Sequence, residues 1–194
     1  MTKFYTGIGS REAPPEAIKW GEDLGFALAK AGYGLRSGAA DGMDTAFEDG
    51  AQRASGIMRI FLAWKGFNGN TSPLYIVSPE SMAMAATLHP AWERLGQGPR
   101  KLHARNCNQV LGETLDNPSE FTVCWTPDGC ESEKARTSKT GGTATAIALS
   151  DRNGIPVFNL RNSASRAKLN AFLAERGINF ALPLDLPPAQ TALF

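Results

Sequence analysis

The segment Phe4-Tyr-Thr-Gly-Ile-Gly-Ser-Arg11 begins the part of the chain from which the fold can be predicted. Its first five residues are mainly apolar, which is typical of a buried strand, and the glycine and serine that follow predict a turn. Two prolines then suit the first turn of a helix, where a missing N–H loses no hydrogen bond. Apolar side chains recur at helical spacing up to Ala31, and Gly32 predicts the end of that helix.

The same alternation continues in the residues that follow. A second strand is predicted over Tyr33–Ser37, and the small residues Ser37-Gly-Ala-Ala-Asp-Gly42 predict a turn before a second helix. The run Met58-Arg-Ile-Phe-Leu-Ala63 predicts a third strand. Strand, helix, strand, helix and strand in succession predict a parallel α/β sheet with right-handed crossovers.

The second half of the chain predicts two more strands of the same sheet. Phe121–Thr126 is the strongest strand signal in the sequence, and Ile155–Leu160 is the last one. Helices are predicted over Leu102–Leu115, from Gly141 onward and over Ala167–Arg176. The predicted fold class is therefore α/β, a Rossmann-like open parallel sheet with helices on both faces.

Residues 64–99 interrupt this alternation, and we predict that they form an inserted loop and helix segment at the sheet edge. The helix of the insertion is predicted over Pro79–Leu95, with Pro90 ending or kinking it. The polar residues 127–140 contain no apolar anchor in the sequence pattern and predict an exposed, mobile loop. One domain is expected over residues 1–180, with a C-terminal tail over 181–194.

Composition and charge exclude several classes of protein. The 194 residues are 42% hydrophobic, so the chain can bury a core. Its 20 basic and 19 acidic residues give a formal charge of +1, which excludes a globally basic nucleic-acid coat but not a local basic patch. Three cysteines without a C-x-x-C pair, together with two histidines, give little material for a disulfide framework or a zinc site.

The same survey predicts the cellular setting. The N-terminal residues lack the basic and apolar regions of a signal peptide, and no run approaches the about 20 apolar residues that cross a bilayer. We therefore expect a cytoplasmic protein with no membrane partner, no metal and no cofactor.

Three strand-to-helix turns rich in small residues carry the functional signal: Gly7–Ser10, Ser37–Gly42 and Thr140–Thr145. In a parallel sheet such turns lie at the carboxyl ends of the strands, where open α/β folds bind ligands. Glycine lets backbone N–H groups approach an anion, and the following helix presents its positive end, which suits phosphate. Tight packing between strand and helix also selects glycine, so a single turn does not separate the two explanations. Three such turns at one sheet edge favour a phosphate site.

None of the three turns matches a standard nucleotide motif. No G-x-x-x-x-G-K-[ST] P-loop is present, so nucleotide hydrolysis of that type is not indicated. No G-x-G-x-x-G is followed about 20 residues later by an acid, which argues against a dinucleotide-dependent dehydrogenase.

Three segments of the chain resemble the DNA-processing protein A (Smf) family of the SLOG superfamily. Ser37-Gly-Ala-Ala-Asp-Gly-Met-Asp44 followed by Gly50-Ala51 resembles its "SG-A-G-D…GA" motif, and Ala104–Gly112 resembles its "RN-I-G" segment. Thr140–Ala146, with Ile155–Asn159, resembles its late glycine turn and following strand. The resemblance spans most of the chain in the family's order. It implies a nucleotide-type or single-stranded DNA ligand and assembly as a homodimer or higher homo-oligomer.

The wider superfamily also includes the LOG-type nucleoside-monophosphate phosphoribohydrolases. Their P-G-G-x-G-T-x-x-E motif carries a glutamate that acts on the glycosidic bond, and the matching position here is Ala148. A methyl group cannot act as an acid or a base, so the resemblance implies binding rather than catalysis. The aromatic residues Trp64 and Phe67 of the insertion, which is unlike the compact family core, are candidates for stacking on a base.

The predicted ligand site combines the three turns with the segment around residue 105. Its phosphate- and ligand-binding candidates are Gly7, Gly9, Ser10, Arg11, Ser37, Gly38, Ala39, Gly42, Asp44, Arg105, Asn106, Gly141, Gly142, Thr143 and Thr145. Arg11 and Arg36 flank two of the turns, where a guanidinium can bind two phosphate oxygens at once. Asp44 and Glu48 lie one helical turn apart. They are candidates for ribose binding or for acid–base work, and the alternative is an exposed acidic face.

Three functions follow from these observations. The first is binding of a phosphorylated, nucleotide-derived small molecule at the glycine-rich turns, by a sensor, carrier or sponge. The second, implied by the family resemblance, is single-stranded DNA binding as a recombination mediator. The third is hydrolysis of an N-glycosidic bond, with Glu48 or Asp44 in place of the missing glutamate.

Overall fold

A computed structural model describes residues 2–185 and shows one five-stranded, all-parallel sheet in the order β3-β2-β1-β4-β5. The strands are β1 (Phe4–Gly9), β2 (Gly34–Ser37), β3 (Met58–Ile60), β4 (Thr122–Trp125) and β5 (Val157–Asn159). The helices are α1 (Pro15–Lys30), α2 (Met43–Arg53), α3 (Pro79–Leu88), α4 (Gln97–Leu111), α5 (Ala144–Arg152) and α6 (Ser163–Ala174). The prediction of a Rossmann-like α/β fold is confirmed.

The sheet separates two apolar cores, because successive strand side chains point to opposite faces. Tyr5 and Val123 pack with residues of α1, α2 and α6, whereas Ile8 and Cys124 pack with residues of α3, α4 and α5. Helices therefore cover both faces, which is the usual architecture of parallel sheets. The alternation of side chains along β1 and β4 thus determines which helices each face receives.

The strand order creates a reversal beside β1. The chain proceeds outward from β1 to β2 and β3, and then continues on the other side of β1 with β4 and β5. The turns that follow β1 and β4 consequently diverge to opposite faces of the sheet and leave a crevice between them. In open α/β sheets ligands bind in this crevice, outside the carboxyl ends of the strands.

Several element boundaries differ from those predicted. Helix α3 ends at Leu88, near the predicted break at Pro90, since Pro90 disfavours helical geometry in the residue before it, and a 3-10 turn over Trp92–Arg94 follows. Helix α4 ends at Leu111, because the next residue, Gly112, has a φ of 81° and stops the helix before residue 115. The last helix begins at Ser163, before the predicted residue 167.

The predicted absence of an apolar anchor in residues 127–140 is wrong. Cys130 is buried, and the Asn159 side chain donates a hydrogen bond to its carbonyl oxygen at 2.9 Å. Thr137 and Thr140 both donate to the Asp128 carboxylate, at 2.6 and 2.5 Å. These hydrogen bonds lower the pKa of Asp128 to about 2, against the opposing effect of its partial burial. The loop is therefore tied to the sheet by polar contacts that hydropathy does not reveal.

The first residues of the predicted C-terminal tail pack against α6. Leu182 is buried, and its backbone exchanges two hydrogen bonds with the Asn170 side chain. The Arg166 guanidinium donates to the carbonyl oxygens of Pro183 and Leu184 at 2.7 and 2.8 Å. Residues 186–194 of the predicted tail lie outside the described residues, and the domain bounds stay a prediction.

Candidate functional site

A cavity of about 750 Å³ lies at the carboxyl ends of the central strands. It is formed by the turns after β1, β2 and β4, by one face of α4 and by residues 67–68 of the segment after β3. Its volume falls within the range of about 300–1,000 Å³ that is typical of small-molecule sites. The lining residues are Ile8, Gly9, Ser10, Arg11, Glu12, Ala40, Asp41, Asp44, Phe67, Asn68, Pro99, Leu102, His103, Arg105, Asn106, Gln109, Pro127, Ser138, Lys139, Thr140, Gly141, Gly142 and Thr143.

A buried ion pair joins two walls of this cavity. The Asp44 carboxylate, in the first turn of α2, lies 3.4 Å from the Arg105 guanidinium of α4, and both side chains are more than nine-tenths buried. Asp44 also accepts a hydrogen bond from the backbone N–H of Gly9 at 3.1 Å. Burial raises the pKa of Asp44, and the neighbouring Arg105 opposes that shift. The pair therefore fixes α4 against the turns after β1 and β2.

Gly38 lies directly beneath the end of this ion pair. A Cβ added at Gly38 would overlap the Arg105 guanidinium and would also collide with Nε2 of Gln109. The Gln109 amide nitrogen and Nε of Arg105 are both buried and have no hydrogen-bond partner among the described residues. A buried donor without a partner costs about 1–3 kcal/mol. Gly38 thus makes room for the buried ends of two side chains whose residues also line the cavity.

Glu48 lies one helical turn beyond Asp44 and is not part of the cavity lining. Its Oε1 accepts a hydrogen bond from the backbone N–H of Ala39 at 2.8 Å, which supports the left-handed backbone of that residue (φ 56°). Burial, with the nearby Asp44 carboxylate, raises the pKa of Glu48 to about 7. The structure therefore places Glu48 outside the cavity lining, where its carboxyl group holds the backbone of the turn after β2.

The turn before α5 forms the opposite wall. Asn106 donates a hydrogen bond to the carbonyl oxygen of Gly142 at 2.8 Å, which links α4 to this turn. Gly141 has a φ of 63°, a value that favours glycine. Gly142 is exposed, has no positive φ, and has open space where a Cβ would lie. Neither conformation nor packing requires glycine at 142.

His103 lies on the same wall as the glycine turn. Its Nδ1 is 2.7 Å from the Thr145 hydroxyl, near the start of α5. Burial, with smaller contributions from His89 and Arg105, lowers the pKa of His103 to about 4, so the imidazole is neutral at physiological pH. Thr145 thus engages one ring nitrogen of a neutral imidazole that lines the cavity.

An aromatic side chain completes the cavity on the side of the predicted insertion. The Phe67 ring lies 5.7 Å from the central guanidinium carbon of Arg105. Trp64 packs edge-on against Phe67 with the ring centroids 5.0 Å apart, but does not itself line the cavity. The Asn68 amide donates to the carbonyl oxygen of Ala39 at 2.9 Å and fixes this segment to the turn after β2.

The structure brings together part of the predicted site. Nine of the predicted ligand-binding residues line the cavity: Gly9, Ser10, Arg11, Asp44, Arg105, Asn106, Gly141, Gly142 and Thr143. The structure places the others outside the lining: Gly7, Ser37, Gly38, Ala39, Gly42 and Thr145. Of the two stacking candidates, Phe67 lines the cavity and Trp64 does not.

Other side chains differ from what the sequence indicated. Arg36 is buried in β2, stacks on the Phe4 ring at 4.5 Å and donates to the carbonyl oxygen of Asn117, away from the cavity. Gln109 was not among the predicted residues, although its position one helical turn after Arg105 places it on the same face of α4. Ala148 is fully buried in α5.

Two further observations concern the described part of the chain. Among residues 2–185, no group of three or more His, Cys, Asp or Glu side chains is placed to hold a metal ion. Over the same range, none of the helices combines the length and apolar character needed to cross a membrane.

A comparison with solved structures finds a protein that is similar over most of this chain. The chain is similar to DNA processing protein A. An X-ray structure of that protein (DprA) from Streptococcus pneumoniae matches with a TM-score of 0.49 and 17% sequence identity. The match covers 82% of this chain and 50% of DprA, so the chain spans half of that protein's length. No protein-family model matches the sequence, and no curated protein matches it. The roles of individual residues therefore rest on the geometry described above.

Proposed function

We propose that the cavity binds a phosphorylated, nucleotide-derived small molecule, as a sensor, carrier or sponge would. One observation carries this proposal: a cavity of ligand size joins an open glycine turn at a helix start to an opposite wall lined by Phe67 and Arg105. Each wall offers what a different part of a nucleotide requires.

The glycine turn is the proposed phosphate site. Gly141, Gly142 and Thr143 line the cavity immediately before α5, and a helix start presents N–H groups and partial positive charge to an anion. Lys139 lines the same part of the cavity and adds a full positive charge. The space at Gly142 allows a phosphate oxygen to reach the backbone.

The opposite wall is the proposed nucleoside site. Phe67 offers an aromatic surface, and stacking on such a surface contributes about 1–3 kcal/mol per base. The central guanidinium carbon of Arg105 lies 5.7 Å from the centre of this ring. Asp44 lines the cavity as well. Its carboxylate already accepts a hydrogen bond from Gly9 and pairs with Arg105, so we assign it a structural role.

Isothermal titration calorimetry tests this proposal with ligands that isolate each part. The panel contains AMP, GMP, the matching nucleosides and ribose 5-phosphate. We expect the nucleotides to bind, with losses of affinity both on removal of the phosphate and on removal of the base. Absence of binding by every nucleotide at millimolar concentration would contradict the proposal.

A pair of lysine variants provides the matched control. Lys139→Gln removes the charge that lines the cavity, whereas Lys134→Gln removes an exposed charge from the same loop outside the lining. Only Lys139→Gln should weaken nucleotide binding, and its effect should shrink as salt rises. Equal effects of the two variants would show that general charge, and not this site, attracts the ligand.

The alternatives give different results in the same samples. Single-stranded DNA binding predicts tight, steeply salt-dependent shifts with oligonucleotides. Glycosidic hydrolysis predicts release of free base from nucleoside monophosphates over time. Assembly into a homodimer or higher homo-oligomer stays a prediction, and light scattering with size-exclusion chromatography measures it directly.

A further inference from the structure

The Asp128 carboxylate anchors the loop that leads from β4 to the glycine turn before α5. Its Oδ2 accepts hydrogen bonds from the hydroxyl groups of Thr137 and Thr140, at 2.6 and 2.5 Å. Its Oδ1 accepts a hydrogen bond from the backbone N–H of Cys130 at 3.3 Å. Asp128 is partly buried and does not itself line the cavity. The carboxylate therefore joins the start of the loop to its end from outside the binding surface.

The hydrogen bonds of the two threonines have a fixed direction. The Thr140 hydroxyl accepts from the backbone N–H of Thr137 at 2.9 Å, and the Thr137 hydroxyl accepts from the backbone N–H of Lys139 at 3.1 Å. Each hydroxyl has a single proton, and both protons are donated to Asp128. Partial burial raises the pKa of Asp128, but these hydrogen bonds outweigh that effect and lower it to about 2. At physiological pH both oxygens of Asp128 are therefore acceptors, as the donors around them require.

The glycine turn that follows the loop is held by polar contacts rather than by side-chain packing. Gly141 and Gly142 are exposed, and no heavy atom lies within 4 Å of the position that a Cβ would take at either residue. From α4, the Asn106 side chain donates a hydrogen bond to the carbonyl oxygen of Gly142 at 2.8 Å. From the loop, Thr140 directly precedes Gly141 and donates to Asp128. The turn is thus tied to the body of the protein on two sides.

We propose that Asp128 is a positioning residue of the phosphate site. Through the two threonines it holds Lys139 and Gly142 at the cavity wall. This inference rests on the proposed nucleotide function and specifies how the chain orders that site. A turn that is ordered in the free protein avoids the entropic cost of ordering it on binding, so loss of the anchor should weaken the contacts to phosphate. The proposed base site lies on the opposite wall, so contacts to the base should persist.

Asp128→Asn removes the anchor at nearly constant side-chain size. An amide has one acceptor oxygen, so either the two hydroxyl protons or the Cys130 N–H would face a donor. We expect the affinity for AMP and GMP to fall by about 10- to 100-fold, which is the effect of losing one hydrogen bond to a charged group. The affinity for adenosine and guanosine should change by less than about threefold. Calorimetric titration of the nucleotides and NMR titration of the nucleosides measure these affinities.

Asp116→Asn is the matched control. Asp116 also accepts a hydrogen bond from a threonine hydroxyl, that of Thr114 at 2.5 Å, but it lies in the turn after α4, outside the cavity lining. This variant should keep the wild-type affinities for nucleotides and nucleosides.

A pair of Thr137 variants tests the connection itself. Thr137 is exposed and does not line the cavity, so its exchange removes little packing. Thr137→Val removes the hydroxyl and should weaken nucleotide binding at least about threefold, whereas Thr137→Ser keeps the hydroxyl and should bind as the wild-type protein does. Amide hydrogen exchange supplies a measurement without ligand. In Asp128→Asn, exchange should accelerate over residues 137–143 and keep its wild-type rates in the strands.

The inference and the proposed function fail in different ways. If Asp128→Asn binds nucleotides as tightly as Asp116→Asn does, the inference is overturned and the nucleotide site stands. It is also overturned if nucleotides and nucleosides lose affinity equally, or if exchange accelerates throughout the sheet, because Asp128 then stabilises the whole fold. Equal losses in Thr137→Ser and Thr137→Val would show that the hydroxyl is not the connection, and this too overturns the inference. If no nucleotide binds the wild-type protein, the proposed function fails and the inference fails with it.

Discussion

Gly142→Ala separates a ligand-binding glycine from a structural one. The substitution adds one methyl group to the turn before α5, where no heavy atom lies within 4 Å of the added Cβ and where φ is not positive. The fold should therefore accept alanine at this position. Lost freedom of the unfolded chain should even raise the free energy of unfolding by about 0.4–1 kcal/mol.

The same methyl group should damage phosphate binding. It occupies the open space through which a phosphate oxygen would approach the backbone of the turn. A hydrogen bond to a charged group contributes about 1.5–3 kcal/mol, so loss of one such bond weakens nucleotide binding by about 10- to 100-fold. The variant should thus be at least as stable as the wild-type protein and bind nucleotide far more weakly.

Two measurements on the same samples check this combination. Urea denaturation gives the free energy of unfolding, and calorimetry with GMP and AMP gives the affinity. Gly98→Ala is the matched control, because it also adds a methyl group in open space without positive φ, but outside the cavity lining. Nucleotide affinity of Gly142→Ala equal to that of Gly98→Ala would refute the placement of the phosphate. A marked loss of stability would refute the claim that packing does not require this glycine.

Three further predictions concern the buried groups behind the cavity. Gly38→Ala should destabilise the fold by about 1–3 kcal/mol in urea denaturation, because its methyl group would displace the buried ends of Arg105 and Gln109; an unchanged midpoint would show that these side chains can move freely. Asp44→Asn should lower the free energy of unfolding by about 3–5 kcal/mol, since it leaves the buried charge of Arg105 without its partner. The same urea denaturation series measures this loss. A loss below about 1 kcal/mol is what an exposed ion pair would give, and it would contradict the burial of the pair. The pKa of Glu48 is raised from 4.5 to about 7, so the folded chain holds more protons than the unfolded chain between these values and its stability falls as pH rises through them, by at most about 3 kcal/mol. Glu48→Gln should remove this component of the pH dependence, and identical stability profiles for variant and wild type between pH 4 and 8, a range set by those two pKa values, would contradict the assignment.

The alternation of strands and helices could be predicted because it depends on local patterns. Apolar runs, prolines at helix starts and glycines at helix ends act over a few residues, and they identified all five strands. The prediction for residues 127–140 failed because distant residues intervene there. Cys130 and Asp128 anchor a loop of polar composition through partners such as Asn159, and no local pattern contains that information.

In the candidate site, too, some residues could be predicted from local sequence patterns, whereas the positions of others depend on distant parts of the chain. The turn after β1 and the turn before α5 reach the cavity, as their glycines suggested. The glycine turn after β2 resembles them in sequence, yet Arg105 and Gln109 from α4 cover Gly38. Whether a glycine receives a ligand or a neighbouring side chain depends on what packs above it, and that neighbour lies far along the chain.

The sequence by itself determined the α/β class, the number of strands and the presence of small-residue turns at their ends, because these follow from local propensity and periodicity. Only the tertiary structure decided that β1 lies between β2 and β4, and hence that turns from distant parts of the chain meet at one cavity. It also decided that Asp44 and Arg105 pair, while Nε of Arg105 and Nε2 of Gln109 are buried without a hydrogen-bond partner in residues 2–185. Those arrangements arise from long-range packing of α4 against the sheet, where burial and electrostatics act between residues that local sequence patterns do not relate.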